Sequence, residues 1–296
     1  KDYQNRYDSA RNAWREKVLA DAKKVENPFD AYAANPFELP EGRQIMEGDF
    51  VDARVAVYVI SRISGEGKDR QKKEGDYYLS RKEKEDLLFL NQKGLPIILL
   101  LNVGSPVELT DILQEAENIQ AVLNISLPGQ EGGHAVADVL LGKAMPGGRL
   151  TATWAKRYED YPSAEDYGSL NGNLETEEYK EGIYVGYRYF DSFSIKPLFP
   201  FGYGMSYTDF SIKFEKLLIT EAGVCVAVTV KNTGECYCGK EVVQIYITLP
   251  QTGLDKEYHR LVGFAKTNTL YPGETQKITI LIEGKQLASF SEAMQA

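Results

Sequence analysis

A single glutamate, Glu66, stands between Gly65 and Gly67, six residues after the apolar run Val55–Ile60 ends. A carboxyl group is a common general acid or base, and flanking glycines allow backbone conformations that other residues resist. In α/β sheets, ligands bind beyond the carboxyl ends of the strands. The pattern therefore suits a carboxylate carried on a loop at a ligand site. A solvated surface glutamate explains the same residues at least as well, because surface loops often combine Gly, Glu and Lys.

Other chemistry finds little support in the sequence. The glycines of SGEG lack the P-loop spacing, no Lys-Ser or Lys-Thr pair follows them, and the central acid would repel phosphate. The three cysteines, Cys225, Cys236 and Cys238, form no even-numbered disulfide framework. Cys236-x-Cys238 is also too short for the usual zinc spacing. We therefore expect three free thiols and no metal site.

The elements around the loop predict a parallel sheet. The first strand run is nearly continuous in apolar residues, which is typical of strands buried on both faces, and the second is fully apolar. These two and a third strand run alternate with helical segments, as in α/β folds. The first of these helices has Ser80 as its predicted N-cap, and an earlier helix covers about the first 25 residues. Residues 27–42, rich in proline and asparagine, are predicted to form a loop. The three strand runs are ARVAVYVIS, PIILLLNVGSP and IQAVLNISLPG, and the helical segments are SRKEKEDLLFLNQKG, PVELTDILQEAE and GGHAVADVLLGK.

The pattern changes after Met145. The stretch that follows is rich in Gly, Asn, Tyr and acids without a long periodic segment, which predicts a wrapping linker. From Phe210 onward short apolar runs, two of them around a turn at residues 232–234, predict a β-sandwich. We therefore predict an α/β domain over residues 1–150, a linker over 151–206 and a β-sandwich over 207–296.

Composition limits the partners. The chain has 296 residues with 43 acidic and 34 basic side chains, a formal net charge of −9, which argues against nucleic-acid binding. No apolar run approaches the roughly 20 residues that a membrane-spanning helix needs. Unpaired cysteines favour a reducing compartment, so we expect a cytoplasmic protein of a bacterium. The sequence leaves secretion and homo-oligomer formation open.

A family resemblance gives these patterns a function. The run ISRISGEGKDR resembles the acid/base loop of glycoside hydrolase family 3, the β-glucosidase family. Four further motifs resemble the same family in the same order, and the last part of the chain resembles its fibronectin type III-like domain. The four motifs are ILLLNVGSPVEL, PGQEGGHAVADVLLGKAMPGGRLTATW, EGIYVGYRYFD and PLFPFGYGMSYTDF.

The resemblance implies an α/β sandwich with a mostly parallel sheet, followed by an incomplete fibronectin type III-like (immunoglobulin-like) β-sandwich. In that family a TIM-type barrel supplies an aspartate nucleophile and the α/β sandwich supplies the acid/base glutamate, here Glu66. The expected activity is retaining hydrolysis of terminal non-reducing β-D-glucosyl residues, with β-glucosides or cello-oligosaccharides as substrates. The resemblance also implies that no metal or organic cofactor is needed. Arg62, Asp69 and Arg70 are expected to support the loop, through an ion pair for one or both of the last two.

The chain departs from the family in several respects: it is too short to hold the eight βα units of a barrel, and the family's nucleophile motif and sugar-clamping residues are absent. The α/β sandwich is also expected to lack its first strand. The nucleophile would therefore lie on a barrel domain outside this chain, and this chain alone would be inactive. A non-catalytic carbohydrate-binding or assembly module remains an alternative. So does an enzyme that acts on xylosides, arabinosides or N-acetylglucosaminides.

Overall fold

The structure, a computed structural model, describes residues 2–63, 69–167, 175–176 and 178–290. The chain packs into two compact units, Lys1–Gly132 and Gly133–Ala296. The domain limits at residues 150 and 206 stay a prediction. Of the helices in the described ranges, none is both long and apolar enough to cross a membrane.

The first unit alternates helices with parallel strands. Its three strands form one sheet in the order β1-β2-β3, and both neighbouring pairs are parallel. This arrangement confirms the predicted α/β class. The elements are α1 (Asp2–Ala22), α2 (Pro28–Ala34), β1 (Ala56–Ser61), α3 (Arg81–Gln92), β2 (Ile97–Asn102), α4 (Thr110–Glu115) and β3 (Ile119–Asn124).

The prediction that the apolar strands are buried on both faces is wrong for β1. Strand β2 is the central strand, and Leu99, Leu100 and Leu101 on its two faces are all buried. Strand β1 lies at the edge of the sheet and buries Ile60, whereas Val57 and Val59 on its other face are 47% and 50% exposed. A central strand is covered from both sides by its neighbours, and an edge strand is not.

The predicted loop at residues 27–42 is wrong in its first part, which forms α2. The Asn27 side chain accepts a hydrogen bond from the Phe29 backbone N–H at 3.2 Å and so caps the helix. Pro28 occupies the first turn, where its missing N–H costs nothing. Asparagine and proline here start a helix; in the sequence alone they read as turn signals.

The second unit holds two antiparallel sheets, which confirms the predicted fibronectin type III-like class. Strands β4, β5 and β8 form one sheet in the order β4-β5-β8, and β6 pairs with β7 in the other. The two strands predicted around residues 232–234 are β5 and β6, which lie in different sheets. The elements are α5 (Gly132–Leu140), which begins at the boundary between the units, α6 (Tyr187–Ser192), β4 (Phe210–Thr220), β5 (Gly223–Asn232), β6 (Val242–Thr248), β7 (His259–Lys266), β8 (Thr275–Ile282) and α7 (Gly284–Leu287).

The core of this unit lies between the two sheets. Alternate residues of β5 and β8 point inward and pack with residues from β6 and β7. The two sheets pack closely at Gly263 on β7, because a Cβ there would lie 2.7 Å from Cγ2 of Ile280 on β8. The buried set is Val226, Val228, Val230, Val243, Val262, Leu270, Ile278, Ile280 and Ile282.

Asn232, at the end of β5, is fully buried (0% exposed) and holds three loops together. Its Oδ1 accepts from the Thr208 hydroxyl at 2.7 Å and from the Gly234 N–H at 3.0 Å. Its Nδ2 donates to the carbonyl oxygens of Tyr237 and Leu270, both at 2.9 Å. The amide therefore replaces the water that these buried groups would otherwise need.

The segment before β4 contacts the strands of the same unit. The Tyr187 hydroxyl accepts from the Leu261 N–H at 2.9 Å, and Ser192 Oγ accepts from the Tyr258 N–H, also at 2.9 Å. Arg149 forms an ion pair with Glu241 beside β6. These contacts hold parts of residues 149–192 against the β6–β7 sheet.

Candidate active site

The predicted acid/base residue, Glu66, lies outside the described residues, together with the rest of residues 64–68. The chain on both sides is described. Strand β1 ends at Ser61, and the next residue, Arg62, donates its backbone N–H to the Asn102 carbonyl at the end of β2 at 3.0 Å. Arg62, two residues before the undescribed stretch, therefore lies at the carboxyl ends of β1 and β2, the edge where α/β folds bind ligands.

Arg62, which precedes this stretch in the sequence, is buried (6% exposed). Its two Nη atoms donate to the two carboxylate oxygens of Glu83 at 2.7 and 2.8 Å. Nε donates to the Asp76 carbonyl at 2.6 Å, and the remaining N–H groups reach the carbonyls of Ser61 at 2.8 Å and Tyr78 at 3.2 Å. All five guanidinium N–H groups are thus engaged. This leaves no donor for a sugar hydroxyl and favours the bracing role.

Arg70 follows the stretch and is anchored by the same neighbour. Its Nε forms an ion pair with the Asp76 carboxylate, and Nη2 donates to the Asp76 carbonyl at 2.7 Å. Nη1 donates to the Ser105 hydroxyl at 2.7 Å. Asp69, the other residue expected to support the loop, is exposed. That Arg62, Asp69 and Arg70 support the loop stays a prediction.

Asp76 is the residue that sequence reasoning missed. Its Oδ1 pairs with Arg70, its Oδ2 accepts from the Gln71 N–H at 2.8 Å, and its carbonyl accepts from Arg62 and Arg70. The preceding Gly75 has φ +77°, a left-handed conformation that glycine adopts without strain. No sequence motif announces this arrangement, because it depends on how a short turn folds back on two arginines.

Glu83 was also missed, although the sequence contains its signal. Ser80-x-x-Glu83 matches a capping box. Ser80 Oγ accepts from the Glu83 N–H at 3.1 Å, and Glu83 Oε2 accepts from the Ser80 N–H at 2.7 Å, which confirms Ser80 as the N-cap of α3. The same carboxylate pairs with Arg62, so the start of α3 is tied to the end of β1.

The loop after β2 completes the site. Ser105 lies in the motif NVGSPVEL and accepts the hydrogen bond from Arg70, while the Glu108 N–H donates to the Tyr77 carbonyl at 3.0 Å. Two loops that follow neighbouring strands are therefore joined.

Burial and the nearby Asp86 carboxylate raise the pKa of Tyr58 on β1, whose hydroxyl donates to Asp86 on α3 at 3.0 Å.

Each of the two arginines on either side of the stretch is paired with a carboxylate. Two guanidinium groups, Arg62 and Arg70, face two carboxylates, Glu83 and Asp76, and each pair lies largely out of solvent. Within the described ranges, no group of three or more His, Cys, Asp or Glu side chains could hold a metal ion. The arrangement is a frame of two ion pairs and several hydrogen bonds that suits holding a loop in place.

Comparison with known proteins identifies the family of this chain. Residues 12–187 match the glycosyl hydrolase family 3 C-terminal domain, which is more than half of the chain. The chain belongs to glycosyl hydrolase family 3. Residues 241–296 match the fibronectin type III-like domain that was expected from the sequence.

The family 3 relatives are β-glucosidases. The chain is 36% identical over 276 residues to a β-glucosidase of Ruminococcus albus, which covers 91% of the chain and 28% of the relative. A solved β-glucosidase from Paenibacillus barengoltzii superposes with a TM-score of 0.82 at 37% identity, over 88% of this chain and 29% of that one. β-Glucosidase 3B of Thermotoga neapolitana, solved with α-D-glucose, gives a TM-score of 0.75 at 36% identity, over 93% and 39%. This family 3 chain thus spans less than two fifths of each relative's length.

Proposed function

We propose that this chain supplies the general acid/base of a retaining β-glucosidase and that Glu66 is that residue. The observation that supports the proposal most is the anchoring of the chain on both sides of Glu66. Arg62 and Arg70 bind one residue, Asp76, at the carboxyl edge of a parallel sheet. Family 3 membership and β-glucosidase relatives supply the reaction class.

The chemistry requires a second carboxylate. In a retaining glycosidase, one carboxylate attacks the anomeric carbon while an acid about 5–5.5 Å away protonates the departing oxygen. Breaking the glycosidic bond leaves a glycosyl-enzyme ester. The former acid, now a carboxylate, takes a proton from water, and the resulting attack on the same carbon releases the sugar and frees the nucleophile. In this proposal Glu66 performs both proton transfers.

The nucleophile would come from a TIM-type barrel domain of the same enzyme, outside this chain. The substrates would be β-glucosides or cello-oligosaccharides, cleaved at the terminal non-reducing β-D-glucosyl residue. The described frame would contribute orientation, because a catalytic group held in its reactive geometry avoids the entropic cost of finding it.

The test is Glu66→Gln in the complete protein that contains this chain. We expect turnover of cellobiose to fall by on the order of 10²–10⁴-fold, the usual contribution of a general acid. The bond-breaking step with 2,4-dinitrophenyl β-glucoside should change far less, because that leaving group departs without a proton.

Glu74→Gln is the matched control. It removes an exposed carboxylate close to the same stretch and should behave like the unmodified protein on both substrates. Wild-type turnover of cellobiose by Glu66→Gln would contradict the proposed role.

A further inference from the structure

We propose that Asp76 is a positioning residue for Glu66 and that it acts through Arg70. The inference rests on the proposed function of Glu66 and goes beyond it by naming the group that holds the loop. Asp76 is separated from Glu66 by ten residues of sequence, and no pattern in the sequence marks it.

The carboxylate of Asp76 uses both oxygens to fix the chain that returns from Glu66. Oδ1 pairs with Nε of Arg70, and Oδ2 accepts from the backbone N–H of Gln71 at 2.8 Å. One carboxylate therefore holds a side chain and the adjacent main chain. Two bonds from a single rigid group define the direction of that chain better than one bond would.

The backbone carbonyl oxygen of Asp76 binds both arginines that flank the stretch. It accepts from Arg62 Nε at 2.6 Å and from Arg70 Nη2 at 2.7 Å. Arg62 precedes the stretch that carries Glu66, and Arg70 follows it. A displacement of Asp76 would therefore move both attachments of that stretch together.

Arg70 links Asp76 to the loop that follows β2. With its Nε and Nη2 on Asp76, the guanidinium plane leaves Nη1 to donate to Ser105 Oγ at 2.7 Å. An arginine fork fixes all of its donors at once because the group is planar. Loss of the Asp76 charge should therefore also loosen the contact with Ser105, which follows β2.

Asp76 lies at a place where a substitution should leave the fold intact. Its side chain is 13% exposed and lies between β1 and α3, in a segment that forms no helix or ladder strand. Asp76→Asn keeps the shape and one acceptor oxygen but removes the charge and one of the two acceptors. We expect the fold to persist and the contacts that Asp76 makes with Arg70 and Gln71 to weaken.

The experiment compares Asp76→Asn with the unmodified protein, in the complete protein that contains this chain. For cellobiose we expect kcat to fall by on the order of 10²-fold, as for a 1 Å misplacement, with KM nearly unchanged. For 2,4-dinitrophenyl β-glucoside the bond-breaking step, read in single-turnover experiments, should be nearly unaffected. The Gln71 amide should exchange with solvent faster, since its acceptor is weakened.

Two further variants serve as a weaker substitution and a control. Ser105→Ala removes one contact of Arg70 and should lower kcat for cellobiose in the same direction but by less. Glu74→Gln, an exposed carboxylate two residues from Asp76, should leave both substrates and the Gln71 amide unchanged.

Unchanged turnover of cellobiose by Asp76→Asn would overturn the positioning role. So would an equal loss on both substrates, which reports a smaller folded fraction. If Asp76→Asn does not fold, a Ser105→Ala enzyme with wild-type kcat for cellobiose overturns the role instead. Failure of the function proposed for Glu66 is a different result, because Glu66→Gln would then turn over cellobiose normally.

Discussion

Arg62 and Arg70 donate hydrogen bonds to one atom, the carbonyl oxygen of Asp76, at 2.6 and 2.7 Å. One arginine comes directly after β1 and the other directly before the chain turns back towards α3. The guanidinium groups of the two arginines on either side of residues 64–68 therefore meet at one atom. This convergence anchors the described chain on both sides of Glu66.

The pair between Arg62 and Glu83 should dominate the stability of this edge. Glu83→Ala leaves a buried guanidinium without its charge partner, which costs about 3–5 kcal/mol. Ser80→Ala removes only the cap of α3 and costs about 1 kcal/mol. Urea unfolding of the two variants gives both values.

Glu85→Ala is the control, because Glu85 pairs with Arg81 at the exposed surface of the same helix. Such a pair contributes about 0.3–0.5 kcal/mol. A Glu83→Ala variant no less stable than Ser80→Ala would contradict the assignment of Arg62 as a buried, paired charge.

Asn232→Ala should destabilise the second unit by about 3 kcal/mol or more. The change removes the Asn232 partner of the Thr208 hydroxyl, the Gly234 N–H and the Tyr237 carbonyl, and each buried group left unpaired costs about 1–3 kcal/mol. The Leu270 carbonyl loses one bond and keeps the one from the Gly239 N–H. Thermal and urea unfolding would measure the loss.

Asn268→Ala, at an exposed position of the same unit, should stay within about 0.5 kcal/mol of the unmodified chain. An equal effect of both substitutions would show that Asn232 is not the polar centre of the three loops.

Asp49 should titrate at unusually low pH. Hydrogen bonds from the Arg43 guanidinium and from the Met46 backbone N–H lower its pKa to about 2. Because the folded pKa lies below the unfolded value of about 3.9, its stabilising effect is complete above about pH 4. That effect is lost as the pH falls towards 2.

Carboxyl carbon NMR follows this titration directly. Arg43→Gln should move the midpoint of Asp49 upward, towards the unfolded value. An unchanged midpoint would mean that Arg43 is not the group that lowers the pKa.

This chain alone should not hydrolyse an aryl β-glucoside. The double displacement needs two carboxyl groups across one glycosidic bond, and we expect the second on a barrel domain outside this chain. Release of nitrophenol, followed with a preparation free of other glycosidases, checks this. Turnover at an ordinary enzymic rate would contradict the division of the site between two domains.

The elements were predictable where one local signal decided them. Continuous apolar runs gave β1 and β2, and Ser80 gave the start of α3. The start of α2 was mistaken because Asn27 and Pro28 favour a turn and a helix start equally well in sequence. The exposure of Val57 and Val59 could not be foreseen, since it depends on which strand lies at the edge of the sheet.

The candidate site was predictable only in its sequence-local part. Glu66, Arg62 and Arg70 belong to one motif, whereas Asp76 and Ser105 join it through the fold. The contact to Ser105 links positions 35 residues apart and forms only when β1 and β2 lie side by side. Local patterns carry no information on such a contact.

The most direct test of the central claim is the product that Glu66→Ala forms in the presence of azide. In the complete protein, 2,4-dinitrophenyl β-glucoside should still form the glycosyl-enzyme, which then persists because no base activates water. Azide needs no deprotonation. It attacks the anomeric carbon, displaces the enzyme carboxylate and raises the turnover rate.

Proton NMR of the anomeric centre reads the outcome. Two inversions give β-glucosyl azide, which is the product expected if Glu66 is the acid/base. An α-glucosyl azide would identify Glu66 as the nucleophile instead. Turnover that azide does not change, with no glucosyl azide formed, would contradict any role of Glu66 in proton transfer.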